Sequence, residues 1–151
     1  MQDETYATCK SDLLIKGEGN QAENIFCGST ISNDGFGTMT FDFMISNPPF
    51  GTPWKKDVDA MTTKGKKEEI TDYRFVTSFA GDGEFSMLPN VGDPQMLFLL
   101  NNVSKMKHTT KMGSRIVEIH NGSSLFTGEA ESGESNARRY LLENDYVEAI
   151  I

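Results

Sequence analysis

A chain of 151 residues, 37% hydrophobic and 24% charged, is long enough for one folded domain and too apolar to be disordered. Its net charge of −8 argues against a self-sufficient nucleic-acid binder, because phosphate contacts need lysine and arginine; a subunit that modifies DNA while a partner supplies the charge is not excluded. No apolar run approaches the roughly 18 residues needed to span a bilayer, and the N-terminus lacks a charged-then-apolar leader pattern.

From Glu4 to Lys16 the residues Tyr6, Cys9, Leu13 and Leu14 recur near helical spacing, and Gly17 supplies a stop, so a helix is expected, with a loop over Gly17–Asn20. Asn24–Thr30 (NIFCGST) reads as a short strand ending in Gly28. Cys9 and Cys27 sit in apolar contexts without metal-ligand spacing and read as reduced core residues of a cytoplasmic protein. After a turn at Phe36–Thr40, the apolar run Phe41–Ser46 (FDFMIS) suits a buried strand. Asn47-Pro48-Pro49 ends it abruptly, since neither proline can donate to a ladder.

Residues 51–94, charged at Lys64–Glu69 and punctuated by Gly and Pro, read as mostly irregular loop, and a loop that long is usually functional or mobile. Phe79-Ala80-Gly81-Asp82-Gly83 imitates a glycine-rich cofactor loop. No clear apolar strand precedes it and no helix follows, so a surface loop is the expectation. Order returns at Gln95–Lys107, where Met96, Leu99, Leu100, Val103 and Met106 mark one helical face. Arg115–His120 reads as a strand and Asn121–Gly133 as a Gly/Ser-rich loop. Ser135 is placed to cap a helix running to about Asn144; a turn at Asp145–Tyr146 leads into a last strand, Val147–Ile151. His108 and His120 stand apart from any Cys/His/Asp cluster, so no structural metal is expected. Strand, strand, helix, strand, helix, strand is the grammar of an α/β fold with a mainly parallel sheet.

The chemistry concentrates at Asn47-Pro48-Pro49-Phe50, since open α/β sheets bind ligands beyond the carboxyl ends of their strands. The exocyclic amine of adenine is a poor nucleophile because its lone pair is delocalised into the ring. Two acceptors on its N–H groups, the Asn47 side-chain carbonyl and the Pro48 main-chain carbonyl, would favour a more tetrahedral nitrogen ready to attack. Successive prolines fix φ near −65° and hold both acceptors rigidly. Phe50 offers a face on which an unstacked base can lie. A plain strand-ending turn is the alternative, although such a tetrapeptide arises by chance in only roughly one chain per thousand of this length.

The tetrapeptide and its flanks resemble the modification subunit of type I restriction–modification systems, a family of N6-adenine DNA methyltransferases. The segments ETYATCKSDLLIKGEGNQAENIFCGSTIS, FDFMISNPPFGTPWKK, QMLFLLNNVSKMK and GSRIVEIHNGSSLFTGEAESGESNARRYLLENDYVEAII carry that likeness over nearly the whole chain, most weakly at residues 57–92. The resemblance implies a Rossmann-like fold dependent on S-adenosylmethionine, with Asn47, Pro48 and Pro49 binding the target amine and Phe50 stacking on adenine. It also implies that Gly28, Ser29, Thr30 and Ile31 lie beside the cofactor's adenosine, although the family usually carries Asn or Asp where this chain has Ser29. Lys55 and Lys56 are candidates for DNA phosphate, with a solvated surface pair as the plainer reading.

The family's glycine-rich cofactor loop and the acidic residue of its next strand would precede residue 1. Residues 1–151 are therefore expected to be an incomplete catalytic domain, its C-terminal half, lacking the first strands. The implied partners are DNA and the specificity and restriction subunits. On this expectation the chain alone neither methylates DNA nor binds S-adenosylmethionine specifically, and with a bare apolar edge at Phe41–Ser46 it is an oligomer, an aggregate or poorly folded. A non-catalytic remnant or interaction protein that keeps part of the fold is the competing reading.

Overall fold

The computed structural model describes residues 3–151, which divide into two compact units, with the division between Thr38 and Met39. In the first, α1 spans Asp3–Ile15, with Asp3 and Glu4 in the first turn where the helix dipole favours negative charge. It ends in a Schellman motif: Glu18 N–H donates to the Leu13 carbonyl at 2.9 Å and Gly17 N–H to Leu14 at 3.1 Å. Gly17, with φ +78°, takes the left-handed conformation this requires. A 3-10 helix follows at Gly19–Asn24.

The strand expected at Asn24–Thr30 does not form. The segment turns back on itself instead, with Asn33 N–H donating to the Ser29 carbonyl at 2.8 Å. Its apolar residues pack locally, the Phe26 ring filling the space beside Gly28 and Gly35, so a short apolar run without a partner strand becomes a turn. Cys9 is exposed and Cys27 half-buried, so neither is the core residue its context suggested; both are free thiols.

In the second unit β1 (Phe43–Ser46) pairs in parallel with β4 (Arg115–Glu118), Phe43 opposite Arg115 and Ser46 opposite Glu118. Between them in the chain, α3 (Gln95–Ser104) returns the polypeptide to the start of the sheet, giving a β–α–β unit. The helix stops before the expected Lys107 because the Lys105 carbonyl is claimed by Phe41 N–H at 3.0 Å and Met106 bridges to Phe41. β4 likewise ends at Glu118 rather than His120.

Residues 51–94 are irregular over most of their length, as expected, but carry short elements that the sequence did not reveal. They contain α2 (Lys55–Met61) and an antiparallel hairpin, β2 (Val76–Phe79) with β3 (Asp82–Ser86). The supposed cofactor-loop mimic is the hairpin turn, where Ala80 and Gly81 take φ of +53° and +92°. Such short strands are held by tertiary packing rather than periodicity: Phe79 lies 5.1 Å from both the Phe85 and Tyr140 rings.

Tyr140 belongs to α4 (Gly133–Glu143), which is capped by Ser132 rather than Ser135; the Ser132 hydroxyl accepts from Ser135 N–H. A Cβ on Gly133 would fall on the Leu88 carbonyl, so only glycine lets the helix start this close to that segment. Val147–Ile151 pairs with no strand among the described residues and is exposed, so the expected last strand is absent there.

The core of this unit gathers Trp54, Val58, Phe75, Met87, Leu97, Leu100, Ala137 and Leu141. The opposite face of the parallel pair is apolar but uncovered: Phe43 is 72% exposed and Ile45 85%, beside Val117 and Ile119. No helix among the described residues is long and apolar enough to cross a membrane.

Candidate active site

β1 delivers the chain to the motif. Its last residue is fixed by the ladder, with Ile119 N–H donating to the Ser46 carbonyl at 3.1 Å, and Asn47 follows at the carboxyl end of the parallel pair. Pro48 is buried while Asn47, Pro49 and Phe50 are exposed, so one proline sits in the protein and the functional groups on either side face outward. No hydrogen bond engages the Asn47 side chain among the described residues, which leaves its carboxamide open to a ligand. Gly51, at φ +67°, then turns the chain.

The far end of this loop is pinned by Trp54, only 2% exposed. Its indole N–H donates to the Asn90 carbonyl at 3.0 Å and its backbone N–H to Val91, also at 3.0 Å. The loop carrying the motif is therefore anchored at both ends. The sequence reading did not single out Trp54, although a lone tryptophan four residues after the motif is a signal for such an anchor.

Behind the motif lies a half-buried polar cluster that sequence reading also missed. The Glu118 side chain is 3% exposed and accepts from the Ser46 hydroxyl at 2.6 Å and from Asn102 Nδ2 at 2.6 Å. Asn102 Nδ2 also reaches Ser46 Oγ at 3.0 Å. His120, expected to be isolated, places Nε2 3.0 Å from Glu118 Oε1, close but not aligned for a hydrogen bond. The loop beyond His120 is tied to the start of α3, where the buried Gln95 accepts from Asn121 N–H at 3.0 Å and donates to Ser123 at 3.2 Å.

The other predicted residues are placed as follows. Gly28, Ser29, Thr30 and Ile31 form the turn of the first unit. Ile31 is buried, Ser29 Oγ accepts from Ile31 N–H at 3.3 Å, and a Cβ on Gly28 would meet Phe26 at 2.8 Å. The Ser29 hydroxyl and carbonyl serve the turn, and the space beside Gly28 is filled by a side chain. The four residues do not present a donor set that fits S-adenosylmethionine in this structure.

Lys55 is bound to Asp59 one turn along α2 at 2.8 Å and to the Gly65 carbonyl beyond the helix at 3.0 Å. Lys56 is exposed. A cavity of about 200 Å³ lies away from the motif, among Tyr73, Arg74, Met87, His108, Tyr140 and Tyr146. Burial, reinforced by Tyr146, pushes the Tyr140 hydroxyl above its ordinary pKa. Among the described residues no group of three or more His, Cys, Asp or Glu side chains is arranged to hold a metal.

The N-6 DNA methylase family matches the chain over residues 1–151. Comparison with curated proteins gives no match, and comparison with solved structures gives none. The chain belongs to the N-6 DNA methylase family, whose reaction is methylation of adenine in DNA and whose members use S-adenosylmethionine. The mixed helix–strand structure, with its few strands, is compatible with part of a methyltransferase domain.

Proposed function

We propose that residues 47–50 hold the target amine in a site-specific adenine N6 methyltransferase of the type I modification-subunit kind. On this reading residues 1–151 correspond to the C-terminal half of a Rossmann-like catalytic domain. The enzyme acts on DNA with specificity and restriction subunits, which supply binding charge that a chain of net −8 lacks.

The observation that carries the reading is the uncommitted carboxamide of Asn47 at the carboxyl end of a parallel strand, backed by the buried Pro48. Asn47 Oδ1 and the Pro48 carbonyl each accept one N–H of adenine N6, drawing the nitrogen toward tetrahedral geometry and making its lone pair available. Phe50, 40% exposed, stacks on the extruded base and holds it. Because Asn47 faces outward, water can take the proton that N6 releases. The proposal is confined to this acceptor side, since the space beside Gly28 is filled by Phe26 and the Ser29 hydroxyl accepts from Ile31 N–H.

Replacing Asn47 by Ala in the full-length enzyme, assembled with its subunits, is the direct test. Loss of a group that acts only as charge develops costs about 3–4 kcal/mol in the barrier. Stability should hardly change, because the side chain is exposed and bonded to nothing among the described residues. Near-normal methylation by Asn47→Ala would sink the mechanism. A second reading, a non-catalytic interaction protein, draws on the closed arrangement of residues 28–31. Titration with labelled S-adenosylmethionine separates the two: specific binding favours the enzyme, and its absence from the assembled protein favours the other.

A further inference from the structure

We infer that Ser46, Asn102 and Glu118 are positioning residues for Asn47, an inference that rests on the reading of Asn47 just given. Three separate elements contribute: Ser46 from β1, Asn102 from α3 and Glu118 from β4, with His120 just past the end of that strand. Asn102 and Glu118 both meet Ser46, the residue immediately before the motif. Ser46 is held in two independent ways. Its carbonyl is in the ladder to Ile119, and its hydroxyl lies within hydrogen-bond distance of both the Glu118 carboxylate and the Asn102 amide.

A carboxylate that is 3% exposed is an expensive way to fill a position behind a sheet. Apolar side chains of similar size in place of the whole cluster would stabilise the unit about as well, so fold stability alone does not account for a polar cluster here. What the cluster does supply is direction. Hydrogen bonds fix the Ser46 side chain, and with it the backbone entering Asn47, more sharply than apolar packing can. The two prolines then carry that orientation forward without slack. Near-attack chemistry is sensitive to this, since a displacement of about 1 Å can cost about a hundredfold in rate. His120 shields the remaining Glu118 oxygen from water, being itself only 17% exposed at the side chain.

The test separates positioning from support of the fold. In the full-length enzyme assembled with its subunits, Glu118→Leu is expected to unfold at a lower denaturant concentration than the parent, because the Ser46 hydroxyl and the Asn102 amide lose their acceptor, yet to stay folded under assay conditions. Its kcat should fall by about tenfold to a hundredfold, with KM for DNA unchanged. Glu118→Gln, which keeps an oxygen for Ser46 and Asn102, should recover most of that loss. If Glu118→Leu does not fold, Ser46→Ala gives the same readout with one atom removed, and Ser46→Thr, which keeps a hydroxyl, is the rescue. Parent-like kcat in Glu118→Leu or Ser46→Ala, alongside an inactive Asn47→Ala, overturns the positioning role and leaves the proposed function standing. Full activity in Asn47→Ala removes the reading on which both depend.

Discussion

The indole N–H of Trp54 donates to the main-chain carbonyl of Asn90, 36 residues further along, at 3.0 Å. Asn90 is itself held by α4, its N–H donating to Glu134 Oε1 at 2.7 Å. The loop that carries Asn47 is thus braced against a helix from the far end of the sequence. Trp54→Phe keeps most of the buried ring and loses one hydrogen bond, so a cost of about 1 kcal/mol is expected. Trp54→Ala also opens a cavity and should cost about 3–5 kcal/mol. Denaturant titration of both variants checks this; near-equal costs would show that the hydrogen bond, not packing, dominates the anchor.

Phe50 is held by no anchor of this kind, being 40% exposed. If it works by stacking, Phe50→Tyr and Phe50→Trp retain methylation, while Phe50→Ala loses about 1–3 kcal/mol of base binding. Steady-state kinetics on DNA decide it. An unchanged Phe50→Ala would reduce the ring to packing.

Arg74 is 6% exposed and makes a two-pronged contact with Asp72, Nε to Oδ1 at 2.9 Å and NH2 to Oδ2 at 2.7 Å, with NH1 on Asn101 Oδ1. Burial alone would raise the Asp72 carboxyl. Hydrogen bonds from Arg74 and the charges of Arg74 and Lys105 outweigh it and hold the carboxyl below its ordinary value of 3.8. A lowered folded pKa means that this stabilisation is present above the unfolded value and lost as pH falls through the folded one. Asp72→Ala, which strands a buried guanidinium, should therefore cost about 3 kcal/mol at neutral pH. That difference from the parent should shrink as acid protonates Asp72, below about pH 4. Denaturation midpoints measured across that range test the sign: a gap that widens in acid would contradict it.

The elements legible in the sequence are those whose local pattern agrees with their final environment. A strand before two prolines, a helix from Gln95 and a strand from Arg115 all form, although the first covers only Phe43–Ser46 and leaves Phe43 and Ile45 exposed where a buried strand was expected. Asn24–Thr30 and Val147–Ile151 have the composition of strands but no partner among the described residues, and composition cannot supply a partner. The hairpin at Val76–Ser86 went unread for the opposite reason. Its strands are too short for a periodic signal and depend on Tyr140, far away in the chain. Nor could spacing reveal the cluster behind Asn47, since Ser46 and Glu118 meet across 72 positions. His120 looked solitary because its neighbour matters only once β4 lies beside β1.

The uncovered side of the parallel pair has a practical consequence at the bench. Phe43, Ile45, Val117 and Ile119 form an apolar strip on a rigid, hydrogen-bonded ladder. A fluorescent probe such as anilinonaphthalene sulfonate, commonly used to recognise loosely packed states, should bind this strip in a properly folded sample. Brightness alone would then be a misleading quality criterion. Near-ultraviolet circular dichroism from the enclosed Trp54 is the safer gauge: a sample that binds the probe yet keeps a sharp tryptophan band has its core in order. Replacing Ile45 and Val117 with Thr should dim the probe and leave that band unchanged.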